Sequence, residues 1–134
     1  MPSIIRENDT RLLCMYIINF LNISYMAKIV LNEKGFKILA LTSKECEILN
    51  FGTKFGNYHE IICDDCNDLI TDHDEVYYIP VLNRIFCEKC LIDWYSTATV
   101  YPEDKSYEEN HYKYVVATLK ANDCKVENHI KKIL

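Results

Sequence analysis

The chain is poor in the residues that break or loosen structure: 134 residues contain only three Gly and three Pro. That scarcity excludes collagen-like repeats and flexible linker classes, and a hydrophobic fraction of 49% excludes wholesale disorder. A membrane-spanning run is also missing. The apolar stretch from Leu12 to Leu21 is interrupted by Asn19 and falls short of the roughly 20 residues that a spanning helix needs. Arg6 and Arg11 precede it as in a signal peptide, but Tyr25-Met26-Ala27 lacks the small residue a cleavage site wants two positions before Ala. Cations are in deficit as well. Fifteen Lys and Arg against 20 Asp and Glu leave a net charge of −5, which argues against general, charge-driven binding to nucleic acid.

The chain is rich in cysteine, with seven, and in tyrosine, with ten. Its acidity is local: residues 63–104 hold ten acids against Arg84 and Lys89, whereas the segments on either side are neutral or slightly basic. A patch of that sign repels phosphate and attracts basic surfaces. Met26-Ala27-Lys28-Ile29-Val30 reads as an internal start. The domain reading is therefore an N-terminal helical extension over 1–25, a small strand and helical unit over 26–57, a finger domain with its C-terminal helix over 58–121, and a basic tail over 122–134.

Periodicity and capping residues predict the elements. Asn8 or Asp9 opens a helix to about Ile23, Ala27–Leu31 is a strand, and Asn32 caps a short helix through Leu39. Thr42 and Glu45 stand at capping-box spacing before a helix to about Asn50, with Gly52 as its stop and a loop from Phe51 to Asn57. Tyr58–Ile62 and Glu75–Val81 read as strands, Leu82-Asn83-Arg84 as a turn, and Ile85-Phe86 as the return strand. A helix from about Glu88 places Leu91, Trp94, Tyr95 and Ala98 on one face. After Pro102, Ser106 and Glu109 form a second capping box, and the helix behind them puts Tyr107, His111, Tyr114, Val115, Thr118 and Leu119 on one stripe.

The chemistry lies in two C-x2-C pairs, Cys63-Asp64-Asp65-Cys66 and Cys87-Glu88-Lys89-Cys90, separated by 20 residues. Two intervening residues let one tight turn aim both sulfurs inward, and the hairpin between the pairs brings them together. The spacing matches a structural tetracysteine zinc site, with Zn2+ as the cofactor. Two disulfides or redox dithiols are the competing reading; a reducing compartment and the lack of a βαβ context weigh against it. The second pair opens a helix, whose positive end favours thiolates.

A knuckle, a hairpin and a helix opened by the last two ligands resembles a treble-clef zinc finger of the LIM-like kind, over Tyr58 to Tyr101. LIM domains and RING-type ubiquitin ligases carry two zinc sites, whereas one four-cysteine set stands here. The wider pattern is similar to small zinc-finger proteins of phages, prophages and mobile elements. It runs through Leu41-Thr42-Ser43-Lys44-Glu45, Glu47-Ile48-Leu49-Asn50-Phe51-Gly52, the first knuckle, Asp74-Glu75-Val76-Tyr77-Tyr78-Ile79, Phe86-Cys87-Glu88-Lys89-Cys90, and Trp94 through Asp104. That resemblance implies a cytoplasmic protein of a bacterial host or phage-infected cell, and an anti-defence inhibitor of the anti-CRISPR type as one role.

The remaining candidates read as structural. Cys14, Cys46 and Cys124 have no near partners in sequence and are expected to pack as small hydrophobes. His59 and His73 flank the first knuckle, but four cysteines already close a tetrahedron. Glu60, Asp64, Asp65, Asp68, Asp72, Asp74 and Glu75 form a carboxylate run without EF-hand spacing: a solvated loop, or a docking surface for a basic partner. Trp94, Tyr95, Tyr77 and Tyr78 are expected in the small core around the metal rather than stacked on bases. No nucleophile elbow, phosphate-binding Gly loop or deaminase signature is present, and four thiolates leave a metal no open position. The expected fold is α+β, a single-zinc treble-clef-like finger flanked by helices. The expected function is a non-enzymatic module that binds a protein partner, with no membrane. The competing class is a nucleic-acid-binding regulator that uses the Lys-rich tail and the 41–50 helix.

Overall fold

The computed structural model describes residues 26–56, 58–71, 74–127 and 134. The helix expected over 8–23, together with Cys14, Asp72 and His73, lies outside them. The described chain is α+β. Five strands form one sheet in the order β6-β5-β2-β1-β7, from β1 (Ala27–Ile29), β2 (Leu39–Leu41), β5 (Val76–Ile79), β6 (Arg84–Phe86) and β7 (Val126–Glu127). A separate hairpin pairs β3 (Thr53–Phe55) with β4 (Tyr58–Glu60). The helices are α1 (Ser43–Ile48), α2 (Glu88–Thr97) and α3 (Lys105–Ala121), the last preceded by a 3-10 turn at Pro102–Asp104.

Every residue of β2 and β5 is buried. Successive strand residues face opposite sides, so both faces of the sheet centre are covered. This explains why Tyr77 and Tyr78 are core residues: Tyr78 stacks on Phe51 with ring centroids 5.1 Å apart, and its hydroxyl donates to Asn83 Oδ1 at 2.8 Å. Strands from both sides of residue 57 share this sheet, so segments 26–57 and 58–121 build one body. Of the expected tail over 122–134, residues 122–127 and 134 are described, and 122–127 join the fold. Val126 and Glu127 pair in parallel with Ala27 and Lys28, and Cys124 is buried.

Several local expectations are corrected. No helix follows Asn32. Its Oδ1 accepts from the Gly35 and Phe36 amides at 2.9 and 3.0 Å, and its Nδ2 donates to Phe36 O at 2.8 Å. The side chain thus satisfies a turn that Gly35 completes at φ +85°, and the chain returns directly as β2. Helix α1 ends on Asn50, not Gly52. Asn50 adopts φ +59°, its N–H bonds Glu47 O, and Phe51 N–H bonds Cys46 O, the two bonds of a Schellman cap. Gly52 serves the hairpin, since a Cβ there would lie 2.3 Å from Glu60 O. The expected loop is therefore partly strand, because Thr53–Phe55 pairs with Tyr58–Glu60. The turn before β6 runs over Pro80–Asn83, leaving Arg84 in the strand.

Neither capping box forms: Thr42 and Asp104 are the N-caps of α1 and α3, and neither makes a side-chain cap bond. The α3 stripe is also rotated. Glu108, Val115 and Leu119 are buried, whereas Tyr107 and Tyr114 are about half and three-quarters exposed. Val115 and Leu119 join the hydrophobic core, and ties to Lys37 accompany this orientation. The Lys37 amide donates to Glu108 Oε2 at 3.2 Å, and its ammonium lies 3.4 Å from Glu109 and 4.4 Å from the Tyr112 ring centre.

Candidate metal centre

The first pair of cysteines sits on a knuckle built by its own backbone. Ile70 N–H bonds Ile61 O at 2.8 Å, Cys63 N–H bonds Asp68 O at 3.0 Å, and Asn67 N–H bonds Cys63 O at 3.0 Å. Asn67 takes the left-handed conformation, φ +63°, that closes so tight a turn. The second pair stands where β6 meets α2. Cys87 is the N-cap of α2, and Cys90 is in its first turn.

Asp64 ties the two pairs together. Its N–H donates to Ile85 O at 2.9 Å, and its Oδ2 accepts from Ile85 N–H at 2.9 Å. This clamp holds the knuckle against β6 two residues before Cys87. Sequence reasoning assigned Asp64 only to the acidic run. Its position inside the first C-x2-C was the one available clue.

As a result, the four sulfurs of Cys63, Cys66, Cys87 and Cys90 lie within 4.8 Å of one another. The Cys66 and Cys87 sulfurs are 3.9 Å apart. A tetrahedron with metal–sulfur bonds of about 2.3 Å has edges of about 3.8 Å, so the cluster fits a four-coordinate metal ion. Cys63 and Cys90 are buried, Cys87 is half-buried and Cys66 is exposed.

The electrostatics suit a cation. Burial alone would push the Cys63 thiol up, but amides of Cys66, Cys87 and Asp65 hydrogen-bond its sulfur and bring it below its ordinary value. The Cys87 N–H donates to that sulfur at 3.3 Å. Cys90 is held above its ordinary value by burial and then by the sulfurs of Cys87, Cys66 and Cys63. Four thiols this close cannot all ionise alone. A divalent cation removes that repulsion and draws off their protons.

The other candidates fall outside the cluster. His59 Nε2 donates to Phe51 O at 2.6 Å and braces the β3–β4 hairpin. Cys46 and Cys124 are buried in the core, as small hydrophobes would be. Trp94 packs on Phe36, ring centroids 4.8 Å apart. The acidic residues divide by role. Glu75 Oε1 lies 3.7 Å from Lys28 Nζ, Asp74 Oδ2 accepts from Thr71 Oγ1 at 2.8 Å, and Asp65 and Asp68 are exposed. Among the described residues, no helix is long and apolar enough to cross a membrane. No protein-family model, curated protein or solved structure matches the chain.

Proposed function

We propose that the chain is a non-enzymatic module in which one structural Zn2+, held by Cys63, Cys66, Cys87 and Cys90, organises a treble-clef-like finger that docks a basic protein segment. The order of knuckle, β5–β6 hairpin and α2, with the last two ligands at the helix start, supports the treble-clef reading. Thiolate ligands in a tetrahedral arrangement favour zinc over hard cations, and four of them leave no position for a reacting water.

The observation that carries the docking role is a cleft of about 430 Å³ beside Cys87, lined among others by Leu69, Asp74, Glu75 and Glu88. Leu69 is 54% exposed there. Lys89 also lines the cleft and Glu75 is paired with Lys28, so the charge left to a partner comes from Asp74 and Glu88. An unburied aliphatic side chain beside these carboxylates complements a partner that offers an apolar anchor next to Lys or Arg. A protein of this kind suits the phage and mobile-element class that the sequence resembles, and inhibition of a host defence complex is one form the docking would take.

The nucleic-acid alternative is weakened by α1, which is six residues long and has Glu45 and Cys46 buried, too short to lie along a groove. Fluorescence anisotropy with labelled Lys/Arg-rich peptides and with DNA and RNA tests the proposal. Peptide binding should weaken about tenfold or more in Leu69→Glu or in Asp74→Lys with Glu88→Lys. Steeply salt-dependent binding to nucleic acid, with none to basic peptides, would assign the regulator role instead.

A further inference from the structure

Glu45 on α1 is fully buried. Both its carboxylate oxygens, and the neighbouring Thr42 Oγ1, are shielded from solvent without a well-formed hydrogen bond. An ionised carboxylate in that position is costly, because the nearby amides of Glu45 and Thr42 and the charge of Lys28 replace only part of its lost hydration. Three things relieve such a group: a cation, water or a proton. A hard cation takes six to eight oxygens in the case of calcium, or a full octahedron in the case of magnesium. Here the carboxylates of Glu45 and Glu75 and the Thr42 hydroxyl are offered, fewer oxygens than either ion takes, and Lys28 already brings a positive charge to Glu75 at 3.7 Å.

We propose that Glu45 is a proton switch that governs the docking of α1: the neutral acid is tolerated in the interior, and the ionised form draws in water and releases the helix. Helix α1 packs on β2 and α3, so its release loosens one side of the body while leaving the cysteine cluster in place. The groups that act on the carboxyl lie on α1 and its N-cap, on β1 and ahead of β5. Burial is the largest influence and raises it; the nearby amides of Glu45 and Thr42 lower it; Glu75 ahead of β5 raises it; and Lys28 on β1 lowers it, for a balance of about 7. The buried thiols of Cys46 and Cys124 feel the same charge, with Lys44 and Asp123 beyond Cys124.

The sign follows from proton counting. An unfolded Glu titrates near 4.5, so between that value and about 7 the folded state holds a proton that the unfolded state has lost. Stability therefore falls as pH rises through this window and levels off above it.

The experiment is urea unfolding of the metal-loaded full chain from pH 5.5 to 7.5, wild type against Glu45→Gln. Over that range the unfolding constant of the wild type should rise on the order of 20-fold more than that of the variant. Hydrogen exchange adds a local reading. The Cys46 and Leu49 amides bond to Thr42 O and Glu45 O at 3.1 and 2.9 Å, and their protection factors should fall above pH 7 in the wild type alone. Parallel pH curves for the two proteins would overturn the switch. So would stabilisation by Na+, Mg2+ or Ca2+ that depends on Glu45, since it would mark a cation site. If Glu45→Gln does not fold, wild-type protection factors that stay constant from pH 6 to 8 would overturn it equally.

Discussion

Asp64 lies between two residues of the cysteine cluster, Cys63 and Cys66, and makes paired hydrogen bonds to Ile85, through its N–H and its carboxylate. Groups behind a ligand set orient it, and their loss commonly weakens metal binding by 10-fold or more. Asp64→Ala is expected to cost about 1 kcal/mol of stability, the worth of one partly exposed hydrogen bond, and about tenfold in zinc affinity by competition with a chromophoric chelator. Asp64→Asn keeps an acceptor oxygen and should retain most of both; equal losses in the two variants would show that charge, not the bond to Ile85, matters. Cys46 and Cys124 illustrate the opposite case at this scale. Both thiols are raised, chiefly by burial, so they are expected to react slowly with thiol reagents while the fold is intact.

Two helices end in the same way. Asn50 and Asp123 both adopt positive φ, and the residue after each donates back across the last turn, Phe51 N–H to Cys46 O and Cys124 N–H to Leu119 O. The motif carries an apolar contact with it, which is why Cys124 is buried at a chain turn. Glycine suits the left-handed position better than Asp, and a carboxylate is unfavourable at a helix C-terminus. Asp123→Gly should therefore raise stability by about 1 kcal/mol in a denaturant titration; a loss would show that the Asp123 side chain has a role the cap does not explain. The C-terminal end of α2 is held differently: Lys34 Nζ donates to the carbonyl oxygens of Tyr95 and Ala98 and lies 4.6 Å from the Tyr95 ring centre. A cation supplied by a distant loop here does the work of a local cap.

Across the whole molecule, the cysteine cluster joins elements that the sheet alone would leave loosely attached. The knuckle has only short backbone pairings of its own, and α2 rests on β5 and β6. Structural zinc sites contribute about 10–16 kcal/mol of apparent binding energy in small peptides, as much as the entire stability of a typical domain. Removal of the ion with a strong chelator, or Cys90→Ser, is expected to abolish the cooperative thermal transition of at least the finger and α2, followed by circular dichroism. Elemental analysis of the loaded protein should give one zinc per chain. An unchanged melting curve after complete metal removal would refute a structural role.

The four cysteines, the hairpin between them and the helix that follows were legible in the sequence, because ligand spacing and short-range periodicity are local properties. The start of β1, the β5 strand and the extent of α2 were legible for the same reason. The β2 strand was not, since Asn32 forms its turn through side-chain bonds that compete with helix, and a three-residue strand has too short a pattern to detect. The sharing of one sheet by residues on both sides of position 57, the face that α3 buries, the clamp at Asp64 and the burial of Glu45 depend on contacts between residues far apart in sequence. The sequence by itself determined which side chains could hold a metal ion together, because spacing and donor chemistry suffice for that. Only the tertiary structure decided which charges are paired, exposed or buried, because burial is a property of the packed chain and not of the residue.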